Sequence, residues 1–217
     1  MLLNGLCQQT TQVNIALVVD FNNNSIVLQD SVYPLQNGNI IKFETLKFYL
    51  SNVQLFQNDA PVFTEQNSFH LIDISDPITQ NISIELTDKI DFNKIKFNLG
   101  VDSITNVSGA MGGDLDPTKG MYWAWQSGYI NFKMEGSCST CLPPNTDLEF
   151  HLGGYIYPFS SFQNIELNTN AKSNFKIILD ISQFFKKVDL TRQNHIMSPC
   201  GDAVILSQHL SKCFRVK

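Results

Sequence analysis

Apolar and polar residues alternate with a period of two along most of this chain. The alternation runs through residues 13–21, 40–56, 68–74, 82–86, 94–102, 121–126, 129–134, 147–157 and 174–181. A two-residue period places successive side chains on opposite faces of an extended backbone, so each segment predicts a half-buried strand. Turn-forming groups such as "NGN", "NDAP", "SDP" and "LPPN" separate them. Helical spacing enters only late. Residues 182–188 predict a short helix, and residues 201–216 a longer terminal one with Ala203, Leu206, Leu210, Cys213 and Phe214 on one face. Asp202 suits the positive end of that helix dipole. The pattern predicts an all-β fold, an antiparallel β-sandwich or barrel with a short C-terminal helix. It forms one domain over residues 13–217, after an N-terminal segment of residues 1–12.

Two segments slip in phase. Leu46, Phe48 and Leu50 share one parity, whereas Val53 and Leu55 take the other, with the change at Ser51–Asn52. Met121, Trp123 and Trp125 share a parity that gives way, after Ser127–Gly128, to Ile130, Phe132 and Met134. One extra residue in a strand produces such a slip, and a bulge accommodates it. The second slip falls in "GGDLDPTKGMYWAWQSGYINFKMEG", residues 112–136, which holds both tryptophans of the chain. It predicts a bulged central strand, with Met121, Trp123 and Trp125 filling one core layer and Ile130, Phe132 and Met134 the next.

Composition narrows the function. The 217 residues are 43% hydrophobic and only 16% charged, enough to bury a sizeable core. A net charge of −5 leaves no basic footprint for nucleic acid or for a membrane surface. No apolar stretch approaches the roughly 20 residues that span a bilayer. The opening "MLLNGLCQQ" lacks a basic leader and a full apolar run, and matches at most the tail of a signal peptide. Leu6 is too large for the position before a lipid-anchored cysteine, which argues against an anchor at Cys7.

Five cysteines exceed what a cytosolic chain of this size needs. Cys138 and Cys141 form a C-x-x-C that is half of a zinc site, but Cys200 and Cys213 lack the spacing for the other half. The simpler expectation is two disulfides with Cys7 left over, and hence an oxidising, periplasmic or secreted location. Among four histidines, His70 and His151 sit in similar "FHL" strand settings. Neutral imidazoles suit copper, zinc, nickel or iron, and two suffice for Cu(I). Parity sets His151 on the face opposite Leu148, Phe150 and Leu152, together with Tyr155 and Tyr157. Asp102, Asp114 and Asp116 border a Gly- and Ser-rich loop that could wrap oxygens around calcium, although aspartates in "DP" contexts ordinarily make turns. No hydrolase or nucleotide-binding motif occurs, so nothing in the residues specifies an enzyme.

Taken together, "LKFYLSNVQL", "HLID", "FNLGVDS", "LDPTKGMYWAWQSGYINFKMEG" and "FHLGGY" resemble the MbnP-like family. These are methanobactin-associated periplasmic copper-binding proteins and their methanotroph surface relatives. The resemblance implies an all-β, non-catalytic protein that binds copper through two histidines, here His70 and His151. It also implies a di-haem cytochrome c peroxidase-type partner that oxidises a tryptophan in some relatives. That tryptophan can lie two residues before the first histidine, where this chain has Ser68; Trp123 and Trp125 remain as redox-active or site-bordering residues. The alternative is a carbohydrate- or protein-binding module with structural calcium, in which Tyr122, Tyr129, Tyr155 or Tyr157 stacks on the ligand.

Overall fold

The computed structural model describes residues 11–141, 147–170 and 173–217. The first half comprises β1 (Thr11–Phe21), β2 (Asn24–Ser25), β3 (Tyr33–Pro34), β4 (Ile40–Gln57), β5 (Ala60–Thr64), β6 (Phe69–Asp73), β7 (Asn81–Leu86), β8 (Lys94–Leu99) and α1 (Ser103–Val107). There follow β9 (Tyr122–Trp123), β10 (Gly128–Cys138), β11 (Asp147–Gly153), β12 (Gln163–Asn168), β13 (Asn174–Asp180), α2 (Ile181–Phe185), α3 (Leu190–Gln193), β14 (His195–Ile196), α4 (Gly201–Ser211) and β15 (Phe214–Val216).

Two sheets face each other. The smaller has the order β15-β13-β1-β2, with β7 on the other side of part of β1; the larger runs β12-β8-β4-β10-β11-β14, with β3, β5 and β6 also along β4. Inward residues of β1 (Val13, Ile15, Leu17) and β13 (Ile177, Leu179) meet those of β4 (Leu46, Phe48, Leu50), β10 (Phe132, Met134) and β11 (Leu148, Phe150) in one core. Most strands pair antiparallel as their alternation predicts, but β1 pairs with β13, and β11 with β14, in parallel. Parallel pairing needs only a long connection between the two strands. The alternation specifies a buried face and carries no strand direction.

The slip at Ser51–Asn52 is a bulge. Ser51 opposes Asn98 and Gln54 opposes Lys96, so β4 spends one residue more than β8. Asn52 takes the left-handed φ of 52° that asparagine tolerates. A further bulge, not evident in the alternation, lies at Glu44, where Glu135 opposes Thr45 and Gly136 opposes Phe43. There β10 approaches β4 so closely that a Cβ on Gly136 would lie 2.0 Å from the Lys42 carbonyl oxygen. Only glycine fits.

The terminal helix is shorter than its periodicity predicts. Ala203, Leu206 and Leu210 of α4 are buried as expected, but the helix ends at Ser211. Phe214 then enters β15, opposite Leu179 of β13. The open edge of β13 offers the terminal residues a ladder that their helical pattern does not reveal. Of the two expected disulfides, Cys138–Cys141 forms. Cys200 and Cys213 carry free thiols at opposite ends of α4, with roughly 16 Å of helix between them, far beyond disulfide reach. Cys7 lies outside the described residues. Among those residues, no helix is long and apolar enough to cross a membrane.

Candidate functional site

Between β8 and β10 the chain leaves the large sheet at Gly100 and returns at Gly128. This excursion folds back over the outer face of the sheet, opposite the main core. It builds a second apolar cluster from Tyr49 and Leu71 of the sheet, Val101, Leu115, Met121 and Trp123 of the excursion, and Tyr129 and Ile130 at the start of β10. Two asparagines pin it. Buried Asn131 accepts the Val101 N–H at 2.9 Å and donates to Ser161 Oγ at 2.8 Å. Buried Asn106 donates to the Val101 and Asp102 carbonyls and accepts the Tyr129 N–H at 2.8 Å. Sequence reasoning did not single out either as a site residue, because their long-range partners lie 23 to 30 residues away in the chain and leave no local pattern.

The aromatic stretch is therefore a cover and not a continuous bulged strand. Only Tyr122 and Trp123 are extended; they pair with Tyr129 and Gly128 across a tight turn, in which Ser127 has a φ of 51°. The turn gives the two indoles that parity places on one face different exposures while their rings stay in contact: Trp123 is 6% exposed and Trp125 66%. Their ring centroids lie 5.7 Å apart. A second correction concerns the layers. Ile130 joins the outer cluster with Met121, while Phe132 and Met134 join the main core, because a bulge between Ile130 and Phe132 rotates the strand.

The two strand histidines do not converge. His70 stands opposite Leu50, so it leaves the sheet on the main-core side, at the half-exposed outer edge of β6. Its Nε2 lies 2.8 Å from Glu65 Oε2. Burial raises the Glu65 pKa, but hydrogen bonds from His70 and Ser68 outweigh it and hold the carboxyl below its ordinary range. His151 stands opposite Lys133, on the other face, with β4 and β10 between its strand and that of His70. Buried His151 lies 2.8 Å from Glu135 Oε1. That hydrogen bond, helped by Lys133 at 3.0 Å, lowers the Glu135 pKa to about 2. A third imidazole, His195, pairs with Glu149 at 2.7 Å beside it. Glu135 and the His195–Glu149 pair escaped the sequence reading, since their partners are set by cross-strand register; Glu65 escaped it because the β5–β6 connection that turns it onto His70 carries no period. Among the described residues, no three His, Cys, Asp or Glu side chains converge to hold one ion.

The row His151, Lys133, Lys47 and Asp73 crosses four strands on the outer face. Asp73 ends it in an ion pair with Lys47 at 2.8 Å. Burial raises the Asp73 pKa, yet the Lys47 and Ser75 hydrogen bonds outweigh it and leave a net lowering. A carboxyl with a lowered folded-state pKa adds stability above its unfolded pKa and loses it as pH falls through the folded value. Asp73→Asn is therefore expected to be less stable than the wild type near neutrality. The gap should close in acid, as thermal unfolding across the acid range will measure.

The three aspartates considered for calcium serve separate backbone roles. Asp102 caps α1 by accepting the Thr105 N–H at 2.9 Å. Asp116 does the same for Thr118 at 2.8 Å. Asp114 accepts the Leu71 N–H at 3.1 Å and pairs with Lys119 at 2.7 Å. Asp102 and Asp116 thus make local turns, while Asp114 ties the excursion to β6, and among the described residues no three such side chains converge on one ion. The tyrosines divide as well. Tyr129 is buried, with its hydroxyl donating to the Leu115 carbonyl at 3.0 Å. β11 ends at Gly153, so Tyr155 and Tyr157 lie in a loop and not on the His151 face of a strand. Asn81 and Asn106 both fit N-x-[ST], but the Asn106 amide is enclosed.

A model of the MbnP family matches residues 10–198, nearly the whole of the β domain. The chain belongs to the MbnP family. The structure of MbnP from Methylosinus trichosporium superposes on it with a TM-score of 0.64, covering 84% of this chain and 80% of that one at 14% identity. At that identity the likeness establishes the shared MbnP fold. No curated protein matches the sequence.

Proposed function

We propose that this member of the MbnP family is a periplasmic or secreted copper-binding protein, acting in acquisition, storage or delivery of the metal. Family membership carries the reading, and the Cys138–Cys141 disulfide fits an oxidising compartment. His70 and His151 are the nitrogen donors that the resemblance proposes. Their opposite faces favour separate roles over one shared ion. His70, with 24% of its side chain exposed against 7% for His151, offers the more accessible imidazole, beside the Glu65 carboxylate. At His151 the Glu135 carboxylate is already paired with Lys133, and that nearby ammonium repels an incoming cation. His70 is the donor on which copper binding depends most.

The test is a Cu(I) titration against a chromophoric chelator, with His70→Ala and His151→Ala as separate variants. His70→Ala should weaken binding by about tenfold or more, and His151→Ala should leave it near wild type. Equal loss in both variants would mean one ion shared after rearrangement, overturning the separate sites. No change in either would remove the histidine assignment. A di-haem peroxidase-type partner, if it acts here, would find Trp125 accessible and Trp123 enclosed; mass spectrometry of tryptophan-containing peptides after treatment with such an enzyme reads which one is oxidised.

A further inference from the structure

The exposed apolar residues are unevenly placed. Of thirteen large ones among the described residues, Ile104, Val107, Met111, Trp125, Ile156, Tyr157 and Phe159 belong to the excursion and to the loop after β11. The two loops meet there: Tyr155 Oη donates to the Ser127 carbonyl at 3.4 Å, and a Cβ on Gly128 would lie 3.1 Å from the Tyr155 ring. Between them opens a pocket of about 300 Å³. Trp123 forms its floor, and Tyr155, Phe159 and Pro199 are among its walls.

The floor is built and not incidental. A Cβ on Gly153 would fall 2.5 Å from Trp123 Cζ3, so the indole rests directly on the β11 backbone. Asn131 and Asn106 lock both loops to the sheet through Ser161, Val101 and Tyr129. Both loops that form the pocket are thus tied to the sheet, and Tyr157, 92% exposed, stands at its rim. A large exposed tyrosine beside a concave aromatic surface marks a ligand site more often than a bare surface does.

We propose that this pocket binds a small, neutral ligand carrying a planar ring system. Three observations select that class. Among the described residues no Asp, Glu, Lys, Arg or His lines the pocket, so a charged ligand would be desolvated without compensation. Its volume, at the small end for ligand pockets, fits up to about three rings. Flat aromatic walls favour stacking and edge-to-face contact with another ring. A sugar stacks too, but it needs several hydrogen-bonding side chains for its hydroxyls. Here the polar side-chain groups of the lining are the Gln126 amide, the Trp123 indole N–H and the two tyrosine phenols, one already engaged. The proposal is independent of copper, since none of the histidines lines the pocket.

The test uses the full chain and the neutral fluorescent probe N-phenyl-1-naphthylamine. Saturable binding at about one probe per chain is expected, with quenching of tryptophan emission by energy transfer from the pocket floor. The double variant Tyr157→Ala/Phe159→Ala removes exposed or half-exposed rings and should keep the wild-type unfolding midpoint. Its affinity for the probe should fall about tenfold. Non-saturating uptake, or equal affinity in the variant, would overturn the proposal. So would displacement of the probe by maltotriose, which would make the site a carbohydrate site instead.

Discussion

Phe184→Ala is expected to lower the free energy of unfolding by about 3–5 kcal/mol. Phe184 is fully buried on the short helix α2. Its ring meets Phe132 at 6.5 Å, Phe150 at 5.7 Å and Phe185 at 5.3 Å between centroids. The helix thereby plugs the core against β10 and β11, directly after β13 of the opposite sheet. Truncation removes the buried ring and leaves a cavity that strand-held neighbours cannot collapse into. A five-residue helix has little stability of its own. Its start is fixed by the Asp180 carboxylate, which accepts the Ser182 N–H at 3.1 Å. Its place in the fold thus depends on the ring. Denaturant unfolding checks the result: the midpoint should fall with the slope unchanged. Phe184→Leu should lose less, because it keeps most of the apolar volume. A loss below about 1 kcal/mol for the alanine variant would show that the ring does not fill the core as described.

Asn131→Ala is the second, at about 2–4 kcal/mol. The side chain is 1% exposed and holds two groups that have no route to water. Removing it orphans the Val101 N–H and deprives Ser161 Oγ of its donor; each buried unpaired group costs about 1–3 kcal/mol. Gly100 is shaped around the same amide, since a Cβ there would lie 2.3 Å from Asn131 Cγ. The loss should also be local in character. Hydrogen exchange at the Val101 amide should accelerate more than at the β4 and β10 amides, because the variant unpins the excursion before it loosens the sheet. Uniform acceleration would mean that Asn131 supports the whole fold and not this loop. Since Asn131 also anchors the loop beyond Gly154 through Ser161, probe binding in the aromatic pocket should weaken in parallel.

Much of the architecture was legible from alternation. The predicted segments at residues 13–21, 40–56, 68–74, 82–86 and 94–102 contain or closely match β1, β4, β6, β7 and β8. The Ser51–Asn52 slip appears at its predicted place. The family was legible too, from motifs spread along the chain, because a long run such as "LDPTKGMYWAWQSGYINFKMEG" encodes one specific cover over one specific sheet. Less was legible of β12, whose polar residues dilute the period, and of β14 and β15, which are too short to show one.

The site was legible in its residues and not in its arrangement. Parity alone placed Trp123 and Trp125 together, but Ser127 at positive φ turns the chain, burying one indole and exposing the other. Parity could equally not relate His70 to His151, since the faces of separate strands are compared only through their register with β4 and β10. What the sequence determined by itself is which residues can be strands and which face of each is apolar, because burial of that face dominates the local free energy. Strand direction, the partners of the buried carboxylates, the separation of Cys200 from Cys213 and the two-loop pocket were decided by tertiary structure. These depend on contacts between residues far apart in the chain, and such contacts leave no period in the sequence to read.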